Sequence, residues 1–174
     1  MRITAIVGNP KSRSKSYGIA AEMLRFVREN LGSDRGETDD EVIDLADVAP
    51  ALLEWGHADV RRLVDRVCGS DIVIVVSPTF KATYTGLLKL FIDQLPMQAL
   101  AGIAAIPVMV GAAPHHALAV EAHLRPLLVE AGAICPTRGL YLLDSQIDHL
   151  SEVLGKWRET SLLPLRGVVL GKGA

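Results

Sequence analysis

Asp71-Ile72-Val73-Ile74-Val75-Val76-Ser77-Pro78-Thr79-Phe80-Lys81-Ala82-Thr83-Tyr84-Thr85-Gly86-Leu87-Leu88-Lys89 is the stretch on which the fold turns. The run from Ile72 to Val76 is β-branched throughout, short and unbroken, with no polar residue in alternation. Such a run reads as a strand buried on both faces, the kind found in parallel sheets. A turn follows it, and then a strongly apolar helix. In open α/β sheets ligands bind in the crevice beyond the carboxyl ends of the strands. The turn after Val76 is therefore where chemistry is expected.

Working outward, Ile3–Val7 is a first short apolar run closed by Gly8-Asn9-Pro10, a turn signal. The next residues, Lys11-Ser12-Arg13-Ser14-Lys15-Ser16, alternate cations with hydroxyls and lead into a helical pattern through Ala20, Met23, Leu24 and Val27. Strand, polar loop and helix make a βα unit whose helix N-terminus offers N–H groups to an anion. The cluster as a whole predicts phosphate binding, whereas any one of its serines reads equally as a simple helix cap. Neither G-x-G-x-x-G nor G-x-x-x-x-G-K-[ST] occurs, so neither a dinucleotide fingerprint nor a P-loop is supported. A serine-rich loop after strand one points instead to the flavodoxin-like arrangement, in which hydroxyls and amides hold a monophosphate.

Residues 32–41 read as a polar surface loop, and Glu41–Leu45 as a short second strand. Asp47 to Trp55 is an excursion across the sheet edge, with Trp55 either lining a pocket or anchoring the loop. Val60, Leu63, Val64 and Val67 mark an amphipathic helix that exposes Arg61 and Arg62. After the opening turn, Leu87, Leu88, Leu90, Phe91, Ile92 and Leu95 make a helix apolar almost all round. It predicts a subunit interface over 86–95, in a homodimer or homotetramer, with Lys89 and Asp93 on its polar edge.

Ile103–Val110, with Pro107 inside it, reads as strand four and ends at Gly111-Ala112-Ala113-Pro114-His115-His116. A helix over about 117–131 follows. A fifth strand then begins at Ala133, breaks at Pro136 and resumes at Gly139–Leu143. Leu150, Val153, Leu154, Trp157 and Ser161 form the core face of a last helix. Asp144, Asp148 and Glu152 are read as solvated rather than as a metal site. The tail from about residue 164 reads as an extension or strap. Together these segments give one α/β domain over 1–174, a doubly wound five-stranded parallel sheet of order 2-1-3-4-5.

Composition narrows the function. The 174 residues are 49% hydrophobic with a formal charge of −2, which offers no electrostatic case for nucleic acid or an anionic membrane. No apolar run approaches the ~20 residues of a membrane span. Two isolated cysteines, Cys68 and Cys135, read as reduced core residues, and the expected compartment is cytoplasmic. No G-x-S-x-G elbow supports a serine hydrolase.

Over roughly its first 145 residues the chain resembles the NAD(P)H-dependent FMN reductases of flavodoxin-like fold. The turn from Ser77 to Lys89 with Asp93 is similar to that family's S-P-x-Y-x-x-x-x-x-G-x-L-K-x-x-x-D signature. Gly8-Asn9-Pro10-Lys11 with Ser14 and Ser16 resembles its phosphate loop, G-S-x-R-x-x-S-x-[ST]. The resemblance implies that Lys11, Ser14, Lys15 and Ser16 hold the FMN phosphate. Pro78, Thr79, Phe80 and Lys81 would line the ring edge, largely through backbone amides, with Gly111 and His115 closing its far side. Two positions depart from the pattern: Phe80 replaces tyrosine, and Lys11 replaces an arginine fork with a point charge.

The segment Gly111–Pro126 looks most like reductases that supply reduced flavin to two-component monooxygenases. That branch can carry a π-bulge in the region of Val120-Glu121-Ala122-His123, with His123 as a candidate residue there. The activity implied is hydride transfer from NAD(P)H to FMN, with a monooxygenase as a possible partner. The alternatives are a quinone- or azo-type reductase with tightly held FMN, and a flavodoxin-like electron carrier.

Overall fold

The computed structural model describes residues 1–31 and 39–171. Five strands form one parallel sheet: β1 (Ile3–Val7), β2 (Glu41–Asp44), β3 (Ile72–Pro78), β4 (Ala104–Gly111) and β5 (Leu140–Leu143). Their order is β2-β1-β3-β4-β5, as the sequence predicts. The β3 run explains the layering. Ile72, Ile74 and Val76 face one apolar core with Ile3, Ala5 and Val7, while Val73 and Val75 face the other with Ile6, Ala105 and Met109. Side chains alternate along a strand, so a strand without polar positions needs cover on both faces.

α1 (Lys15–Leu31) and α5 (Leu150–Leu170) cover the first face. The other is covered by α2 (Ala58–Cys68), α3 (Gly86–Ile92), a π-turn over Val120–Leu124 and α4 (Arg125–Glu130). The π-turn lies where the resemblance puts one. None of the described helices is long and apolar enough to cross a membrane.

Pro107 sits in a central strand at no cost to the ladder. Ala105 N–H points away from β3 to the Ile134 carbonyl, so the alternation turns Pro107 the same way, and β5 begins only opposite Val108. The predicted start of strand five at Ala133 reduces to a single bridge, Ile134 with Ala104.

Three expectations change. The tail is helical over 164–170, because α5 runs through Pro164 to Leu170. Leu150, Leu154, Trp157, Ser161 and Leu165 stay buried at helical spacing, and the exposed Pro164 breaks the ladder only on the solvent side. The apolar α3 helix takes part of its cover from its own chain: turns at Leu45–Val48 and Ala51–Leu53 lie against it, and Gln94 Nε2 donates to the Leu52 carbonyl at 3.0 Å. Trp55 does not anchor that loop; it is 76% exposed and borders a shallow pocket with Arg61 and Val64. Of the predicted surface loop, 32–38 lies outside the described residues. Asp39 and Asp40 tie the start of β2 down by pairing with Arg2 and Arg66, and with Arg28.

Candidate active site

The loops after β1, β3, β4 and β5 surround a cleft of about 540 Å³ at the carboxyl end of the sheet. It is lined by Asn9, Lys11, Arg13, Ser14, Lys15 and Ser16 on one side. Pro78, Thr79, Phe80, Val110, Gly111, Ala112 and Asp144 complete it.

The β1 loop is built to present donors. Asn9 Oδ1 accepts the Lys11 N–H at 2.9 Å, and Asn9 Nδ2 donates to Ser16 Oγ at 3.2 Å. Because Ser16 Oγ accepts that bond, its own proton is left to donate elsewhere. Arg13 adopts a left-handed φ of 51°, held by its N–H to buried Asp44 Oδ2 at 2.9 Å. Its guanidinium pairs with Asp47 at 3.2 Å and lies over the Tyr17 ring at 4.5 Å. Lys11 and Lys15 have no carboxylate partner among the described residues.

Ser14 separates the two readings of the serine cluster. Its carbonyl accepts from Tyr17 N–H at 3.0 Å and Gly18 N–H at 3.3 Å, so its backbone opens α1. Its hydroxyl caps nothing: Ser14 Oγ is buried with no protein partner among the described residues. Thr79 Oγ1 is in the same condition and lines the same cleft. The buried hydroxyls of Thr137 and Ser161 also lack partners but do not line it. Buried polar groups are ordinarily satisfied. Two unpaired hydroxyls and two unpaired ammonium groups facing one cleft fit an anionic, hydrogen-bonding ligand, and FMN with its phosphate meets that demand.

The turn after β3 explains its own sequence. Buried Ser77 Oγ accepts Thr85 N–H at 3.1 Å and donates to the Pro78 carbonyl at 2.9 Å, closing the loop. Thr85 caps α3 by accepting from Leu88 N–H at 3.1 Å, and its hydroxyl also donates to the Gly8 carbonyl, which ties this turn to the β1 loop. Gly8 has no room for a side chain, since a Cβ there would lie 2.7 Å from Leu88 Cβ. Phe80 and Thr83 exchange backbone bonds at 2.9 and 3.2 Å around Lys81 and Ala82, whose φ values are 52° and 65°. Both central residues at positive φ make this a type I′ turn without glycine, a form of strain found at functional sites.

The amides of Thr79 and Phe80 are engaged by Val110 and Thr83 carbonyls. What these two residues offer the cleft is a hydroxyl and a half-exposed ring. Gly111 is required by its neighbours: a Cβ there would run into the Tyr141 hydroxyl and lie 3.1 Å from Tyr141 Cζ. Tyr141 is itself fixed by donating to the Ala113 carbonyl at 2.9 Å.

Of the residues the sequence proposes, Lys11, Ser14, Lys15, Ser16, Pro78, Thr79, Phe80 and Gly111 come together here. Lys81 and His115 are exposed on the bordering loops and do not line the cleft; the His115 ring stands 4.1 Å from that of His116. Sequence reasoning did not single out Asn9, Arg13, Val110, Ala112 or Asp144 as site residues. Asn9 and Arg13 lie inside the Gly8–Ser16 loop, whose contiguous donors are the signal for them. Asp144 carries no such signal, because only the β4–β5 register brings it there. His123 is exposed on the π-turn, away from the lining. No group of three or more metal-ligating side chains occurs among the described residues.

A family model described as NADPH-dependent FMN reductase matches residues 1–148. The chain is 32% identical over 152 residues to the FMN reductase (NADPH) of Escherichia coli (strain K12), covering 84% of this chain and 75% of that one. It is 27% identical over 159 residues to the NADH-dependent FMN reductase SfnF of Pseudomonas putida, covering 87% and 83%. The crystal structure of the apo form of the NADH:FMN oxidoreductase EMOB superposes with a TM-score of 0.81 at 32% identity, over 98% of this chain and 89% of that one. The family match takes in all five strands and every residue lining the cleft, and the chain belongs to the NADPH-dependent FMN reductase family.

Proposed function

We propose that the protein is an NAD(P)H:FMN oxidoreductase whose cleft holds FMN with its phosphate at the N-terminus of α1. The observation that carries this reading is the pair of buried, unpartnered hydroxyls, Ser14 and Thr79, in one cleft with Lys11 and Lys15. Lys11 and Lys15 would neutralise the phosphate, while Ser14 and Ser16 donate to it together with the first amides of α1. Thr79 would donate to the ring edge, Pro78 and Phe80 would wall it, and Gly111 would leave room for its approach. Lys81 and His115, exposed on the bordering loops, would meet the outer ring or the nicotinamide. Bound flavin would supply the redox chemistry, hydride uptake from the nicotinamide. The protein's part is to orient the two rings.

The finer reading is that reduced FMN leaves to serve a monooxygenase. Support comes from the π-turn at Val120–Leu124, the feature expected of that branch. The reading also makes the protein a cytoplasmic homodimer or homotetramer. Leu90 is 38% exposed on α3 and Met97 is 93% exposed in a groove with Leu95, Pro96 and Leu127, which supports contact there. NAD(P)H oxidation by flavin-stripped protein at increasing FMN tests the activity. Saturation from near-zero rate is expected; no oxidation with either nicotinamide overturns it.

A further inference from the structure

Among the described residues, Asp144 is the one acidic side chain that lines the cleft. It arrives there by register: Gly111 on β4 pairs with Leu143 on β5, so the residue after Leu143 stands beside Ala112 at the sheet's carboxyl end. Leu143 is held by its N–H donating to Gln146 Oε1 at 2.9 Å, which fixes the start of the segment Asp144–His149. The Asp144 side chain is exposed and forms no ion pair or hydrogen bond among the described residues. Arg13 cannot offset it, because its guanidinium is already committed to Asp47. The charges left acting on a ligand are therefore Lys11 and Lys15 in favour and Asp144 against.

We propose that Asp144 is an affinity-setting residue: its carboxylate opposes the ligand's phosphate across the cleft and keeps FMN exchangeable rather than permanently held. This rests on the reading of the cleft as an FMN site. A phosphate near −2 charge and one carboxylate three strand spacings apart, about 14 Å, repel in water by enough to change a dissociation constant about two- to threefold, with most of the effect screened at high salt. An exposed charge acting at this range works largely on the association rate and its salt dependence, so the carboxylate lowers affinity without touching the flavin. An acidic side chain serving instead as acceptor for a ribityl hydroxyl would act alike on flavins with and without phosphate.

The test is titration of flavin-stripped wild type, D144N and D144K with FMN and with riboflavin, at about 10 mM and about 500 mM ionic strength. FMN should tighten about two- to threefold for D144N and by a second similar step for D144K at low salt. The steps should shrink at high salt, and riboflavin should not respond. Equal changes for both flavins, or weaker FMN binding by D144N, overturn the proposal while leaving the FMN site intact. No binding of either flavin by wild type overturns the site and the proposal together. Because D144K reverses the charge, a merely structural role could not produce graded, salt-sensitive, phosphate-dependent steps.

Discussion

Replacing Ser14 with alanine separates a capping serine from a phosphate-binding one, because the two roles predict opposite outcomes. Losing a capping hydroxyl costs about 1 kcal/mol of stability. Ser14 Oγ makes no such bond, and its burial without a partner already carries a desolvation cost. S14A without flavin should therefore unfold at the wild-type urea concentration or slightly above it. Losing a hydrogen bond to a charged phosphate costs about 1.5–3 kcal/mol, or about a 10- to 150-fold loss of affinity. At an FMN concentration of about 100 times the wild-type Kd, the flavin adds about 2.7 kcal/mol to wild-type stability. For S14A, at even a tenfold loss, the same concentration should add only about 1.4 kcal/mol. Urea unfolding with and without FMN reads both quantities. Destabilisation of about 1 kcal/mol in the absence of flavin, with an undiminished flavin effect, would refute the assignment.

Gly111→Ala should destabilise by about 1–3 kcal/mol, since its Cβ meets the Tyr141 ring and hydroxyl; thermal unfolding should show G111A/Y141F recovering part of the loss. Glu121 has its carboxyl held below the usual range by the Arg125 guanidinium and by the Gly139 N–H at 2.6 Å. The stability it adds is present above its ordinary value of about 4.5 and is lost as pH falls through the lowered one. Urea midpoints of wild type and E121Q should therefore differ at pH 7 and converge in acid. Met97→Glu should shift sedimentation toward smaller species if the face near α3 joins subunits, and leave flavin-independent unfolding of the monomer unchanged because the side chain is exposed.

The central strand was legible because five consecutive β-branched residues admit few other readings, and the serine-rich loop was legible because its charges and hydroxyls are contiguous. Contacts between distant segments were not. The pairing of Arg13 with Asp47, which removes a cation from the proposed phosphate site, spans 34 residues. Asp144 enters the cleft only through the pairing of Gly111 with Leu143. The segment from about residue 164 reads as an extension or strap, yet Ser161 and Leu165 are fully buried on the other side and carry the helix past Pro164, whose ring removes only one N–H. The excess apolar surface of α3 pointed to a partner, and the Leu45–Leu53 turns supply part of that cover from within the chain.

The central claim is that the cleft between the β1 and β3 loops is where FMN sits, and a crystal structure of the FMN complex tests it most directly. The account predicts phosphate oxygens within hydrogen-bonding distance of Ser14 Oγ and Ser16 Oγ, and the ring edge against Pro78, Thr79 and Phe80. A flavin bound elsewhere, such as the groove beneath Met97, with Ser14 and Thr79 still unpartnered, would contradict it.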